Sequence, residues 1–391
     1  YFRFPYRNHE LSLQLVRVHL EYLADLGGGA HFACVDMIGT DGPLYDLDFF
    51  MQGPPGSMTV TATTVHKING RPLYLWQQQR DGTWRRVPVR KAPPRLLGVV
   101  HGTDRFAFTY QVRLPEITGP ARLWLPLATS NTFQHVEVER IRTPEPWQEL
   151  HDSEFGNRVL FLTAGPADSG KVVEIDYRVR RFEKSAYAVR TPDLAEYLKP
   201  DRLVPINQTF RTQALQITRG RTTDLARARA LYDHVIAKMR YAKYGAGWGR
   251  GDAVYACNAG SGNCSDFHSY FIALARAIGI PARFAIGAAI PSERSDGGID
   301  GYHCWAEFYA DGKWVPVDIS EANKNPSLVD YYFGHHPANR FELSRGRDLI
   351  LQPGPAAGPI NLLAYPVLEV NGLPVTAPTE FRFQRPAKIS R

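Results

Sequence analysis

The strongest constraint on the fold is a change of hydrophobic periodicity near residue 223. Before this point apolar residues alternate with polar ones, as from Val173 to Val179, which is the pattern of a strand with one buried face. After it, apolar residues recur every three or four positions over 224–239, which is helical spacing. A chain of 391 residues is also too long for one ordinary core. We therefore predict an α+β protein of roughly two to four domains, with the β-rich domains first.

Residues 1–92 are predicted to form an N-terminal β-rich domain. Turn signals such as Gly27-Gly28-Gly29 and Asp81-Gly82 separate its apolar runs. The stretch 11–26 is also compatible with a helix, because its apolar spacing is ambiguous. No function follows from the residues of this domain. Its candidate strands are 13–23, 44–51, 58–68 and 72–77.

A second β-rich domain is predicted over residues 93–185. It begins after Ala92-Pro93-Pro94, which is typical of a linker. Short strands separated by turn-rich gaps are the pattern of an immunoglobulin-like β-sandwich. The candidate strands of this domain are 105–113, 121–125, 134–141, 158–162 and 172–180.

Two amphipathic helices follow the β-rich half. Thr223-Asp224 can cap the first helix, which we expect to end near Met239. The second helix is predicted to start near Cys264 and to end at Gly279, just before Pro281. The glycine-rich loop 245–262 between them lacks the Lys and Ser/Thr of a phosphate-binding loop, so nucleotide binding is not expected there.

Cys264 stands at the start of the second helix, directly after a glycine-rich turn. Free backbone N–H groups and the helix dipole at that position favour the thiolate, the nucleophilic form of cysteine. The N–H of Cys264 is also placed to bind an oxyanion. Taken alone, a cysteine at a helix start is more often a small buried residue that packs than a catalytic one.

A predicted β-hairpin supplies two partners for that cysteine. The Asp311-Gly312 pair predicts a two-residue turn that sets Ala310 opposite Lys313. In this register His303 and Asp318 are diagonal neighbours on one face, with Cβ atoms about 7–8 Å apart. A carboxylate at that distance can orient an imidazole and fix its tautomer. The three residues together predict a nucleophile–base–orienter triad of Cys264, His303 and Asp318.

These residues resemble the transglutaminase-like superfamily, a branch of the papain-like fold, over about 223–321. The resemblance implies the same three triad roles for Cys264, His303 and Asp318. It also implies a transglutaminase-like core over 186–345, a preceding β-sandwich and a C-terminal β extension, 346–391, that packs on the preceding domains. The segments that carry it are Gly262-Asn263-Cys264, 274–283, 303–309, Gly312-Lys313-Trp314 and Val317-Asp318.

Four further residues are candidates for substrate binding. The resemblance implies an upstream oxyanion partner, for which Trp248 is the nearest tryptophan, although a loop anchor is the simpler interpretation. Asp266 and His268 are expected to line the cleft from the first helical turn, or, for Asp266, to serve only the helix N-terminus. Trp305 shares the strand face of His303 and completes this set.

Other chemistry-bearing residues receive structural interpretations. Cys304 faces away from His303 by strand parity and is assigned to the core. Cys257 is expected to pack, with a regulatory disulfide as the alternative. Arg340, Arg345 and Arg347 are expected in surface ion pairs, with an acidic substrate group as the alternative. Without paired Cys-x-x-Cys or His-x-x-x-His spacing, we predict no metal site, and no cofactor.

Charge and composition limit the classes of binding partner expected for this protein. The formal net charge of +7 comes from scattered Lys and Arg residues, so a nucleic-acid partner is not expected. No apolar run reaches the length of a membrane span, and four cysteines do not make a disulfide framework in a chain of this size. Because the chain begins at Tyr1, we expect that it has been processed or trimmed. The resemblance to bacterial proteins implies a periplasmic or secreted location.

Three functions remain open on the sequence. A cysteine peptidase or amidase acting on a protein or peptide, possibly derived from the cell envelope, is favoured because no amine-binding feature is legible. A transglutaminase uses the same thioester, resolved by a lysine amine instead of water. A non-catalytic envelope or carbohydrate-binding protein is the third, with Trp76, Trp84, Trp124 and Trp147 as sugar platforms.

Overall fold

The computed structural model describes residues 1–20, 23–79, 84–190 and 194–386. All six α-helices of this part of the chain lie between Gln208 and Tyr332, and strands dominate on both sides of them. The mixed helix-and-strand character predicted from the sequence is confirmed. The longest helix has 15 residues, whereas a membrane span needs about 20, so every described helix is too short to cross a bilayer.

The N-terminal strands form one antiparallel sheet in the order β1-β2-β4-β5-β6-β7, with β3 on β4, and a separate β8-β9 hairpin. An apolar cluster that includes Leu13, Met37 and Leu47 covers one face of the large sheet. The helical alternative for residues 11–26 is wrong, because β2 runs into this stretch, and the predicted Asp81-Gly82 turn lies outside the described residues. The strands are β1 Phe2–Tyr6, β2 His9–Val18, β3 Ala24–Gly27, β4 Ala30–Gly39, β5 Leu44–Gln52, β6 Thr59–Ile68, β7 Arg71–Pro72, β8 Tyr74–Gln78 and β9 Trp84–Pro88.

The next part of the chain contains the five strands predicted within 105–180 and one more. The additional strand, β13, is short and lacks a regular alternation of apolar residues, which explains why its sequence did not predict it. The strands are β10 Thr103–Arg113, β11 Ala121–Leu127, β12 Gln134–Arg142, β13 Trp147–His151, β14 Arg158–Ala164 and β15 Val172–Phe182.

The region 184–345 combines helices with a four-stranded antiparallel sheet of order β22-β21-β19-β24. Helix α4 is buried along its whole length, between α1, α2 and α3 and the strand β21. The helices are α1 Gln208–Ile217, α2 Asp224–Lys238, α3 Ala253–Ala259, α4 Cys264–Ala277, α5 Ile319–Lys324 and α6 Val329–Tyr332. The strands are β16 Lys184–Ser185, β17 Arg240–Tyr241, β18 Ser261–Gly262, β19 Ala282–Ala289, β20 Asp296–Ile299, β21 His303–Ala310, β22 Lys313–Val317, β23 His335–His336 and β24 Arg340–Arg345.

Strands from the end of the chain complete two five-stranded sheets. Their orders are β12-β15-β10-β27-β20 and β13-β14-β11-β25-β26. One apolar cluster is shared by both sheets, and it also takes in Phe341 and Leu343 of β24, so these sheets and the helical region are tightly joined. The immunoglobulin-like assignment and the predicted domain boundaries stay predictions. The added strands are β25 Val367–Val370, β26 Leu373–Val375 and β27 Thr379–Gln384.

The predicted hairpin register and helix limits are confirmed. Ala310 pairs with Lys313 and Ala306 with Val317, as the Asp311-Gly312 turn requires. Thr223 caps α2 through its side chain, which accepts a hydrogen bond from the N–H of Ala226. Pairing between β21 and β22 ends at Val317, because Asp318 turns the chain into α5 and acts as its N-cap.

Candidate active site

The start of α4 is held by two side chains that satisfy its free N–H groups. Asn263 accepts a hydrogen bond from the N–H of Ser265, and Asp266 accepts one from the N–H of Asn263, which together make a capping box. Gly262 is required here, because a Cβ atom would come within 2.4 Å of the Asp266 carboxylate. These contacts place Cys264 in the first turn of the helix, where only 1% of its surface is exposed.

Asp266 has a structural role. It was expected to line the cleft, and the structure corrects this. Its side chain is fully buried and accepts hydrogen bonds from three backbone N–H groups. Two of them belong to the glycine-rich loop, Gly249 at 2.7 Å and Gly251 at 3.0 Å, and the third to Asn263 at 2.9 Å. Asp266 therefore ties that loop to the start of α4, which matches the alternative that it serves the helix N-terminus.

His303 and Asp318 are in direct contact, as the hairpin register predicted. The Nε2 atom of His303 lies 2.7 Å from Oδ2 of Asp318, and both side chains are buried. Because Nε2 is engaged by the carboxylate, Nδ1 is the nitrogen left to face Cys264, which helps to raise the pKa of His303. The three predicted triad residues thus lie together in one buried cluster.

The carboxylate of Asp318 has further partners that hold it in place. Its Oδ1 accepts hydrogen bonds from the N–H of Glu321 and the hydroxyl of Ser320, both at 3.2 Å. Its Oδ2 accepts a second bond, at 3.1 Å, from Arg340, whose side chain is only 2% exposed. The expectation that Arg340 forms a surface ion pair is therefore wrong, since this cation lies in the interior beside the triad acid.

Arg345 and Arg347 also take structural positions. Arg345 pairs with Glu342 at 2.5 Å and is partly exposed. Arg347 is buried, and its guanidinium donates to the carbonyl of Gly251 at 2.8 Å, so the predicted surface ion pair is wrong for this residue too. Its contact with Gly251 adds a second anchor for the glycine-rich loop.

The contacts of the triad favour a thiolate–imidazolium pair. Burial disfavours the charged form of Cys264, but the neighbouring Cys304 and His303 side chains outweigh it and hold the pKa of this thiol well below its ordinary value. Burial likewise acts to lower the pKa of His303, but the Asp318 carboxylate raises it to about 9. Burial opposes the charge of Asp318 as well, yet His303 keeps its pKa well below the usual range. These shifts favour the form of the pair in which Cys264 is negative and His303 is positive.

Cys304 lies in the core, as strand parity predicted, and it is a close neighbour of Cys264. The side of β21 that carries Cys304 packs against α4, where the Cys304 sulfur lies 3.8 Å from Nδ1 of His268. Burial and then the proximity of Cys264 raise the pKa of Cys304 well above its ordinary value, so Cys304 keeps its proton. A protonated thiol beside Cys264 favours the thiolate form of Cys264.

Replacing Cys304 by Ala is therefore expected to raise the pKa of Cys264. Alkylation of Cys264 at mildly acidic pH should slow by a few-fold, since S–H is a weak donor. The measurement is the rate of iodoacetamide labelling against pH, read on the Cys264 peptide by mass spectrometry. Cys257→Ala is the matched control, because Cys257 contacts Gln213 rather than Cys264. An unchanged pH profile in Cys304→Ala would contradict this role.

His268 does not line a cleft, and this expectation is corrected. The residue is completely buried, and its Nδ1 lies 2.7 Å from the carbonyl oxygen of Cys264. Its Nε2 accepts a hydrogen bond from the N–H of Ile319 at 3.0 Å. These two bonds require the neutral tautomer with the proton on Nδ1, and burial lowers the pKa of His268 accordingly. His268 thus links the backbone of the nucleophile to the backbone that follows the triad acid.

The two tryptophans of the predicted set differ in position. Trp305 is completely buried, with its ring centre 6.1 Å from that of His303 and 5.7 Å from that of His336, so it supports the base instead of meeting a substrate. Trp248 is half-buried in the glycine-rich loop, next to Gly249, and its predicted substrate role stays a prediction. Among the proposed sugar platforms, Trp124 is fully buried and Trp76 is engaged by Asp48.

Two tyrosines that were not predicted as site residues from the sequence lie close to Cys264. Burial and then the negative charge of Cys264 raise the pKa values of Tyr241 and Tyr302 well above the ordinary value. The hydroxyl of Tyr302 accepts a hydrogen bond from the Asn263 side chain at 2.8 Å, so it also supports the start of α4. Tyr302 directly precedes His303 in the sequence. This adjacency was the one feature from which Tyr302 could have been predicted as a residue of the site.

Comparisons with known proteins place the helical region in a known superfamily. The transglutaminase-like superfamily model matches residues 211–319. An uncharacterized protein of Haemophilus influenzae is 29% identical, over 72% of this chain and 90% of its own length.

Among solved structures, a candidate cysteine protease of Cytophaga hutchinsonii has a TM-score of 0.52 and 20% identity, over 71% of this chain and 90% of that one. This likeness is one of fold. The periplasmic domain of TgpA from Pseudomonas aeruginosa has a TM-score of 0.32 and 16% identity, over 66% of this chain and 83% of that one. The chain contains a domain of the transglutaminase-like superfamily at residues 211–319.

Proposed function

We propose that this protein is a thiol-dependent acyl-transfer enzyme that hydrolyses an amide or peptide bond through a thioester on Cys264. The observation that carries the proposal is the buried cluster of Cys264, His303 and Asp318, in which His303 lies 2.7 Å from Asp318 and the pKa of the Cys264 thiol is lowered by its neighbours. A structural cysteine in an apolar core would have a raised pKa, as Cys304 does.

The first step is attack of the Cys264 thiolate on the substrate carbonyl carbon. The oxygen that gains negative charge needs a donor, and the N–H of Cys264 belongs to the first helical turn, whose donors have no partner within the helix. The new C–S bond forms, the C–N bond breaks, and the His303 imidazolium gives its proton to the departing amine. The products of this step are an amine and an acyl thioester on Cys264.

The second step releases the acyl group. Neutral His303 takes a proton from water, the oxygen attacks the thioester carbon, and the C–S bond breaks to give a carboxylic acid and the Cys264 thiolate. A primary amine in place of water would give a new amide, which is the transglutaminase reaction. We favour water as the nucleophile that resolves the thioester, because the sequence shows no feature dedicated to binding an amine.

The rim of the site favours a slender substrate. Cys264 and His303 are 1% and 6% exposed, so only a narrow approach reaches the sulfur. Around it stand Tyr241, Tyr302 and the ion pair of Glu321 with Lys324 at 2.8 Å. Because the sulfur and the imidazole are this little exposed, we favour an extended peptide or a single side-chain amide over a folded surface as the substrate. A protein or peptide substrate and a periplasmic or secreted location stay predictions.

Product analysis tests the proposal. A peptide library that contains glutamine and lysine is incubated with the wild-type protein, with and without a tagged primary amine, and analysed by mass spectrometry. We expect new peptide termini or deamidation that Cys264→Ala abolishes. The rate should fall as pH rises through about 9, because His303 then loses the proton that the departing amine needs.

Two outcomes of that assay would contradict the proposal. Incorporation of the tagged amine without hydrolysis would replace it by amine transfer. Products that persist in Cys264→Ala would contradict a thioester on this residue. Cys257→Ala serves as the control, since Cys257 contacts Gln213 outside the cluster of Cys264, His303 and Asp318, and its replacement should leave the products unchanged.

A further inference from the structure

The N-terminal sheet has an apolar face and a buried polar face. Alternate residues of β4 and β5, such as Val35 and Leu47, belong to the apolar cluster described above. The residues between them point the opposite way, and they carry thiol and carboxylate groups although they are buried. These buried polar residues are Cys34, Asp36, Asp46 and Asp48. Buried charges must be paired or bound to a metal ion, so each carboxylate of this face needs a partner.

Two of the three acids have close ion-pair partners. Asp46 lies 2.6 Å from the ammonium group of Lys67, and Asp36 lies 2.9 Å from Nε2 of His19. The third acid, Asp48, has a longer contact, with its Oδ1 3.4 Å from Nδ1 of His66.

Asp48 is fully buried and only half satisfied. Its Oδ2 accepts hydrogen bonds from the hydroxyl of Tyr74 at 2.7 Å and from Nε1 of Trp76 at 2.8 Å. Its Oδ1 has no hydrogen-bond partner among the described residues, and the same is true of Nδ1 of His66. These two atoms lie 3.4 Å apart, which is within ion-pair distance but does not give a hydrogen bond, so both face one space with their hydrogen-bonding capacity unused.

A β-bulge places His66 on this face. Asp46 pairs with Lys67 while Leu47 pairs with Val65, so His66 is an extra residue in β6. Bulges re-aim side chains, and they are frequent beside functional sites. Cys34 is the direct strand partner of Asp48, which brings its sulfur to the same place.

We propose that Cys34, Asp48 and His66 bind a divalent transition-metal ion of the zinc type. Their ligand atoms all lie within 4.8 Å of one another. Two ligands about 2.1 Å from a tetrahedral zinc ion stand about 3.4 Å apart, which is the observed separation of the two unpartnered atoms. His19 and Asp46 lie beside the same sulfur but are engaged by Asp36 and Lys67, so the fourth position of the ion is left to a water molecule.

The chemistry of the donors selects the ion. A thiolate, an imidazole and a carboxylate suit zinc, whereas magnesium and calcium prefer oxygen ligands alone. The charges of the thiolate and the carboxylate cancel those of a divalent ion, which suits a buried position. The ion would replace the proton of the Cys34 thiol and join β4, β5 and β6, and that proton would be released to the solvent.

Cobalt titration of the full chain tests this site. The starting protein is Cys264→Ser treated with a chelator, in which the active-site thiol cannot contribute. We expect one equivalent of Co²⁺ to produce a cobalt–thiolate charge-transfer band, which Zn²⁺ then abolishes by displacement. The band should be absent when Cys34→Ser is added, and the affinity should fall at least about tenfold in His66→Gln, which removes a ligand.

Cys257→Ser in the same background is the matched control and should keep the band. Circular dichroism and cooperative melting establish which variants fold. If the Cys34→Ser protein does not fold, Asp48→Asn and His66→Gln decide the question by the same titration. A folded Cys264→Ser protein that gives no thiolate band, or a band that survives in the folded ligand variants, would overturn the proposal.

Discussion

Replacing His303 by Ala should slow the alkylation of Cys264 by about 100-fold near pH 6. An unperturbed thiol with a pKa of about 8.5 is less than about 1% ionised at that pH, whereas the contacts described here keep Cys264 ionised. The lower intrinsic reactivity of a low-pKa thiolate reduces the advantage only in part. The measurement is the iodoacetamide labelling rate of each cysteine against pH, mapped by peptide mass spectrometry.

Access to the sulfur must be separated from its ionisation, since Cys264 is almost fully buried. The thiolate absorbance in the ultraviolet, taken as the difference between the wild type and Cys264→Ser, reports ionisation without any reagent. His303→Gln, which keeps a similar volume, should behave like His303→Ala in both measurements. If Cys264 reacts like Cys34 and Cys304 and shows no acid-stable thiolate, the non-catalytic interpretation replaces the enzyme proposal.

Replacing Asp318 by Asn should lower the free energy of unfolding by about 3–5 kcal/mol, because it leaves Arg340 as a buried charge without its partner. It should also abolish the acid-stable Cys264 thiolate. The Asp318 carboxylate raises the pKa of His303, and without it the imidazolium that stabilises the thiolate is lost. The measurements are denaturant unfolding at neutral pH and the alkylation profile.

Asp330→Asn is the control for this prediction. That carboxylate is 88% exposed and pairs with Arg229 at the surface, so its loss should change the stability by less than about 1 kcal/mol. The double variant Asp318→Asn/Arg340→Met should lose less than the sum of the two single variants, since the partners are then removed together. Additive losses, or an unchanged His303–Cys264 pair in Asp318→Asn, would contradict a positioning role for the Asp318–Arg340 contact.

Local sequence was sufficient wherever neighbours along the chain decide the outcome. The Asp311-Gly312 turn sets the register of β21 and β22 because a two-residue loop permits only one pairing. The register in turn brings His303 to Asp318. Thr223 and Asn263 cap their helices through bonds to the next residues, and so both helix starts were predictable.

Sequence reasoning failed where a polar side chain is buried by distant parts of the chain. Arg340 was expected at the surface, because most arginines are exposed and nothing beside it in sequence shows the buried Asp318. Asp266 and His268 share the first turns of α4 with Cys264, but they point to a loop and to the start of α5 instead of to an open cleft. Cys304 was correctly predicted to lie in the core. Strand parity alone does not show that its neighbour there is Cys264.

The sequence by itself determined the helix start that carries Cys264 and the hairpin that brings His303 to Asp318, because turn chemistry and helix capping act over a few residues. Only the tertiary structure decided what surrounds them: Arg340 on the acid, Cys304 on the sulfur and His268 between the two backbones. The same holds for Cys34, Asp48 and His66, which come from three strands and meet only when the sheet forms. Burial and charge pairing depend on contacts between residues far apart in the chain. Such contacts leave no periodic pattern of residues in the sequence.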